Sequence, residues 1–380
     1  WASSYYLPAV LADDMSRDLG LSTNWIFGIF SASLVLTAVM GPKVGRTIDV
    51  WGGNGVLAAS NLLFAAGLSL LYIAQSLPVF AAAWIVMAIG MGLGLYDSAF
   101  AALGRLYGID ARGAITGITL LAGFASTIGW PLSAWGASTI GWRETCLAWA
   151  AVHLFIALPM NWFLLPRPPG TVTATMTGAT TAQRAAAHKS MSIPIDRPMI
   201  LLAFAFAAAW IVTAGMAAHF PRIVEATGAS PAQAIAAAAL IGPAQVAARL
   251  LEAGPLARFH PLVSARLATL THPIGAAVIL LAGGGVASSA FALLHGSGNG
   301  ILTIARGTVP LALFGPENYG YRLGLIGAPA RFLQAGAPLG FALLIEHLGS
   351  GVLLVSSALS LSACLALCLL RAPVSPAHAD

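Results

Sequence analysis

Charge is what this 380-residue sequence has least of: 8% of its residues are Asp, Glu, Lys or Arg, against 58% hydrophobic, at a mean hydropathy of +0.84. A soluble domain carries roughly 25% charged residues. Eighteen basic and 13 acidic side chains are too few to cover a water-exposed surface of this size. Disorder needs low hydrophobicity and high net charge, so it is excluded by the same figures. Cysteine is nearly as scarce. Cys146, Cys364 and Cys368 lie in apolar runs, which argues against a disulfide framework. The last two, four apart, read as small buried hydrophobes rather than soft ligands. The histidines (His153, His188, His219, His260, His272, His295, His347 and His378) form no pair at i, i+4, so neither metal nor haem is expected. His272 and His295 read as interhelical hydrogen-bonding groups, with titration during transport as the alternative. Gly90-Met91-Gly92-Leu93-Gly94 follows no strand and is followed by no Gly-Lys-Ser/Thr, so it reads as helix packing rather than a nucleotide loop. No cofactor is implied. Without clustered His and Cys or paired carboxylates, an enzyme is not expected.

Long apolar runs are what is there. A membrane-spanning helix needs roughly 20 apolar residues, and the polar breaks divide the chain into twelve: near 1–12, 24–44, 55–74, 78–104, 113–138, 144–165, 198–219, 231–250, 262–282, 286–313, 323–346 and 350–370. The expected fold class is an all-α polytopic membrane protein. The first stretch meets Asp13-Asp14 too early to span and reads as a truncated first helix. The one long polar stretch opens with Pro166-Arg167-Pro168-Pro169-Gly170 and reads as a linker. The expected organisation is a six-helix bundle over 1–165, a linker over 166–197, a second bundle over 198–372 and a tail over 373–380.

The net charge of +5 does not point to nucleic acid, because the basic residues sit in short loops. Lys43, Arg46, Arg105, Arg112, Arg167, Arg184, Lys189, Arg197, Arg249, Arg258, Arg266, Arg322 and Arg371 fall on one side. Arg17, Arg143 and Arg222 fall on the other. The positive-inside rule then places both termini and the linker in the cytoplasm. The halves also repeat. Gly41-Pro42 corresponds to Gly242-Pro243, Gly92-x-Gly94 to Gly298-x-Gly300, and Arg112 with Gly117 to Arg322 with Gly327, in the same order. That order favours a duplicated six-helix unit with a site at the midplane between pseudo-symmetric halves.

Ionisable groups at membrane depth are functional candidates. Asp97, Arg306 and Arg331 each lie about eight residues from the cytoplasmic end of a span, roughly 12 Å deep at 1.5 Å per residue. Two positive charges and one negative at one level predict a net positive cavity, and an Arg fork suits an oxyanion. A structural ion pair between Asp97 and one Arg is the alternative for that acid.

The loop Gly41-Pro42-Lys43-Val44-Gly45-Arg46-Thr47-Ile48-Asp49-Val50-Trp51-Gly52-Gly53 resembles the loop signature of the major facilitator superfamily, with Gly45, Asp49 and Gly52 matching. Val50, Gly53 and Asn54 stand where that family places basic residues, and Arg46 substitutes for part of the charge. The Gly-Pro and Gly-Arg pairs are similar to the monocarboxylate-porter and oxalate-exchanger branches, and Gly141-Trp142-Arg143 is another frequent feature. Independently of the resemblance, the glycines permit close helix approach, and Asp49 suits a helix N-terminus, either as a gate or as a cap on the third helix. The resemblance implies that the first, fourth, seventh and tenth helices line the path, which points to Tyr5, Tyr6, Tyr96, Trp210, Thr213, Asn299 and Thr303.

The expected function is secondary transport of a small organic or inorganic anion by alternating access. Arg331 and Arg306 would bind it, coupling would be to protons through Asp97 or to a counter-anion, and Gly41, Pro42, Gly45, Arg46, Asp49 and Gly52 would form a gating loop. The alternative is an exporter of drugs or toxic metalloids. The expected setting is a monomer among lipids of a bacterial inner membrane.

Overall fold

A computed structural model describes residues 1–166 and 193–371. Most of the expected linker, with Arg167, Arg184, Lys189 and His188, lies outside the described residues, as does the tail with His378. Among the described residues fifteen α-helices follow one another in chain order. The first eight are α1 (Leu7–Leu19), α2 (Thr23–Trp51), α3 (Gly53–Ile73), α4 (Leu77–Gly94), α5 (Tyr96–Tyr107), α6 (Ala111–Ala122), α7 (Ala125–Thr139) and α8 (Trp142–Val152). Two π-helical turns, His153–Ala157 and Met160–Leu164, extend α8. Then follow α9 (Arg197–Glu225), α10 (Pro231–Ala239), α11 (Ile241–Ala253), α12 (Pro261–Ala282), α13 (Gly284–Phe314), α14 (Tyr319–Leu348) and α15 (Val352–Cys368).

Eight helical stretches among the described residues are long and apolar enough to cross a membrane. Tyr319–Cys368, at 50 residues, holds two passes. The other expected passes coincide with α1, which at 13 residues is shorter than a span, with α7 and with α13. The 31-residue α13 is long enough but falls outside the apolar class. It carries His295, Asn299, Thr303 and Arg306 in its middle.

Several spans differ from the sequence pattern for local reasons. The first helix does not stop at Asp13-Asp14: it runs to Leu19, where Gly20 adopts a left-handed φ of +62° and its N–H returns to Ser16 O. Asp13 is exposed and Asp14 pairs with Arg17 one turn on, so neither carboxylate forces a stop. The second continues through Pro42 as far as Trp51, ended by Gly52 at φ +84°. The fourth breaks at Leu95, whose backbone is extended. The eighth breaks at Leu240, and its first piece is nucleated by a capping box between Ser230 and Gln233.

The chain divides into two compact units that interleave along the sequence. The first unit takes Trp1–Ala111, Ala125–Asp196 and Pro316–Ala328; the second takes Arg112–Phe124, Arg197–Gly315 and Pro329–Asp380. Leu7, Leu11, Phe64, Trp84, Met87 and Cys146 are part of the apolar core of the first. Met216, Phe220, Phe291, Phe341 and Leu353 anchor that of the second. In lipid such side chains hold the helices together by close packing rather than by removal from water.

Candidate functional site

In the first unit, the glycine-rich end of α2 lies against the start of α14. Gly324 approaches the Gly41–Pro42 peptide so closely that a Cβ there would overlap it, and Gly104 on α5 gives the same clearance to the Tyr319 ring. Backbones at this separation expose helix-end N–H groups to a neighbour. Asp49 exploits them: its two oxygens accept the N–H groups of Gly320 and Tyr321, each at 2.8 Å. Four N–H groups at a helix start have no partner within the helix, and the dipole there favours an anion. Asp49 thus caps α14, 271 residues away in sequence, and not the adjacent third helix. Gly52 holds the N-cap position of α3 with no side-chain bond. Around the clamp, Arg46 stacks over the Tyr321 ring at 4.3 Å, and Arg105 Nε donates to the Asp49 carbonyl at 3.1 Å. Asn54, at a position where the resembled signature is basic, instead donates to the carbonyls of Asn161, Trp162 and Leu165.

The second unit contains a related arrangement. The Arg46-x-x-Asp49 spacing on α2 recurs as Arg249-x-x-Glu252 on α11, a signal the repeat comparison alone missed. Glu252, 2% exposed, pairs with Arg112 at 2.9 Å. Arg112 also donates to the carbonyls of Ala257 and Phe259 at 2.8 and 2.7 Å, and to that of Leu256. Arg249 reaches the carbonyl of Thr119 on α6 at 3.1 Å. In both clusters an acid at the end of one helix holds a segment from the other half of the chain.

The deeper candidates fall into two groups. In the second unit, Asn299, Thr303 and Arg306 follow one another at i, i+4 and i+7 on α13, which puts them on one face. Arg306 is 9% exposed and lies 5.1 Å over the Trp210 ring of α9. Thr213, one turn along α9, donates to Asn299 Oδ1 at 3.3 Å, and Thr303 donates to the Asn299 carbonyl. Arg331 lies in α14 between Pro329 and Pro338 and is partly buried. In the first unit, Tyr5, Tyr6 and Tyr96 surround Trp1 at centroid distances of 5.0, 6.0 and 4.9 Å. Tyr96 also stacks on Phe100 at 5.3 Å. Asp97 is buried in the first turn of α5, directly after the break at Leu95. Asp97 therefore belongs to a different unit from the two arginines.

The family model described as Major Facilitator Superfamily matches residues 1–297. No curated protein matches the chain in sequence. Among solved structures it is similar to the human organic anion transporter TETRAN, with a TM-score of 0.70 and 17% identity, covering 94% of this chain and 88% of that one. The proton:xylose symporter XylE gives a TM-score of 0.69 at 14% identity, covering 97% and 91%. FucP in its outward conformation gives 0.68 at 14% identity, covering 97% of each chain.

Proposed function

The chain belongs to the major facilitator superfamily, and from that premise we propose that it carries a small anion across the membrane by alternating access of its two halves. It is an integral multi-pass membrane transporter rather than an enzyme. The anion preference rests on one observation: a buried arginine, Arg306, held against Trp210 on a helix face that also presents Asn299 and Thr303. A guanidinium at membrane depth is expensive, and its planar fork matches carboxylate and other oxyanions. Arg331 supplies a second positive charge, while Tyr5, Tyr6 and Tyr96 offer apolar faces with hydroxyl tips. TETRAN is described as an organic anion transporter and XylE as a proton:xylose symporter. Fold likeness is therefore shared by both substrate types, and Arg306 supports the choice.

Within this reading, Gly41, Pro42, Gly45, Arg46, Asp49 and Gly52 form a gate that joins the two halves of the chain and must release in each cycle. The setting is a bacterial inner membrane with both termini in the cytoplasm, as the loop charges favour.

The test is binding and uptake of a panel of labelled carboxylates, phosphate and sulfate by purified protein and proteoliposomes, with Arg306→Lys, Arg306→Gln and Arg331→Lys beside wild type. A hydrogen bond to a charged partner contributes roughly 1.5–3 kcal/mol, or about one to two decades of affinity. Arg306→Lys and Arg331→Lys are expected to weaken the bound anion by about tenfold or more, and Arg306→Gln further, at unchanged melting temperature. Unchanged affinity for every anion, or preference for lipophilic cations, would overturn the anion reading and favour drug export.

A further inference from the structure

Two buried imidazoles meet at the centre of the second unit. His272 on α12 and His295 on α13 are 4% and 5% exposed, and their Nδ1 atoms are 3.0 Å apart. His272 Nε2 lies 2.9 Å from Ser356 Oγ on α15. The hydroxyl of Ser356 already donates to the Leu353 carbonyl at 3.1 Å. Its oxygen is therefore the acceptor, and His272 carries its proton on Nε2. In a neutral ring the other nitrogen is then a lone pair. The Nδ1–Nδ1 contact consequently needs its proton from His295. A neutral His295 with a proton on Nδ1 has a bare Nε2, the one ring nitrogen of the pair without a partner among the described residues.

His153 in the first unit shows the contrasting, closed case. Its Nδ1 meets Asn61 Oδ1 at 2.9 Å and its Nε2 meets Ser3 Oγ at 2.8 Å, so both nitrogens are engaged. His295 also continues the face of α13 that holds Asn299, Thr303 and Arg306, by steps of four, four and three residues.

We propose that His272 and His295 form a one-proton site, the proton entering at His295 Nε2, and that this site couples proton movement to transport. The coupling role rests on the transport reading above; the proton site rests on the hydrogen-bond geometry alone. The added proton yields an imidazolium at His295 that still donates from Nδ1 to His272, so no existing bond is broken by loading. Two imidazoliums this close would repel, which limits the pair to one proton. The groups facing the pair are Phe291, with centroids at 5.4 Å from His272 and 6.0 Å from His295, and Ser356. Phe220 of α9 stacks on Phe291 at 5.4 Å. Of the ionisable groups on the same helices, Arg266 donates to the carbonyls of Leu367 and Leu370, Cys364 contacts the Arg266 carbonyl, and Arg306 lies over Trp210. None of these is a direct contact of either ring.

The test is ¹⁵N-histidine NMR of the full chain in lipid nanodiscs, comparing wild type with His295→Gln and His272→Gln. At neutral pH two rings should carry their proton on Nδ1, His153, which donates to Asn61 Oδ1, and His295, and only the second signal should be missing from His295→Gln. On acidification His295 Nε2 should gain a proton while His272 gains none. A proton on His295 Nε2 at neutral pH, or two imidazoliums at acid pH, would overturn the proposal. In proteoliposomes with an imposed pH gradient, His295→Gln should lose gradient-driven accumulation while keeping counterflow of the same solute. Retained accumulation in that variant would overturn the coupling. If wild type moves no member of the anion panel, the substrate reading fails, and the NMR result decides the proton site independently.

Discussion

Gly45 on α2 and Gly320 on α14 lie so close that a methyl group on either would run into the other's carbonyl. At Gly45 the atoms met are all backbone, and at Gly320 they are the Gly45 carbonyl, the Asp49 carboxylate and the Ala101 methyl, so no long flexible side chain is there to yield. Gly45→Ala and Gly320→Ala should therefore cost more than the about 1–3 kcal/mol typical of overpacking, and Gly45→Leu should fail to give folded protein. Gly336, also on α14, has open space around it. Gly336→Ala should raise the melting temperature, since Ala is favoured over Gly inside a helix by about 1 kcal/mol. Thermal unfolding of the three alanine variants in one detergent checks the contrast, and equal effects would remove the close-approach argument.

Asp49→Asn keeps the shape of the clamp but removes the charge and one of its two acceptor oxygens. Hydrogen bonds to charged groups contribute roughly 1.5–3 kcal/mol. Amide exchange at Gly320 and Tyr321 should then quicken by about one to two decades, with exchange in α9 unchanged. Transport should slow while solute binding stays near wild type. Wild-type exchange at those two amides would show that the carboxylate does not hold them.

The Arg112–Glu252 pair should be asymmetric under mutation. Losing Glu252 leaves Arg112 with three backbone carbonyls, whereas losing Arg112 leaves a buried carboxylate alone. Breaking a buried pair from one side costs about 3–5 kcal/mol. Arg112→Met should approach that figure, Glu252→Gln should fall well short of it, and the double variant should recover much of the loss. Equal and additive shifts in the unfolding midpoint would contradict this ordering.

His260 caps α12 by accepting the Leu262 N–H at its Nδ1, 3.2 Å away. Partial burial, then the neighbouring Arg112 and Arg266, hold its pKa below the ordinary 6.5. A depressed histidine pKa means that the folded state resists protonation. The cap's contribution is thus present above the unfolded value near 6.5 and is lost as pH falls through the lower folded value. Wild type should lose melting temperature in that acid window more steeply than His260→Asn, which caps without titrating. Parallel pH profiles for the two proteins would dismiss the cap as a source of acid sensitivity.

Much of this architecture is legible in the sequence because lipid permits few alternatives. Apolar runs of span length read directly as membrane-crossing helices. Asp49 was recognisable as an anion suited to a helix start, but its helix lies in the other half of the chain. Local pattern therefore pointed to the adjacent α3. Glu252 escaped for a related reason: its arginine, Arg112, is 140 residues distant, and only the repeated Arg-x-x-acid spacing signals it. His272 and His295 were legible as interhelical hydrogen-bonding groups, but that each is the other's partner was not, because they sit on different helices 23 residues apart. The breaks at Leu95 and Leu240 fall inside apolar runs, so hydropathy reads straight through them; Pro243, which cannot donate to the Ala239 carbonyl, is the local mark of the second.

The polar face of α13 also bears on how the protein is made. A helix that carries an arginine at membrane depth enters the bilayer reluctantly, at up to about 3 kcal/mol for that residue alone. During synthesis α9 emerges first, and with it the Trp210 ring that later shelters Arg306. Insertion of α13 is thus conditional on a neighbour already resident in the bilayer. Substitutions at Trp210 should then reduce the amount of mature protein before they alter anything the finished molecule does, and quality-control proteases should be the first to register them.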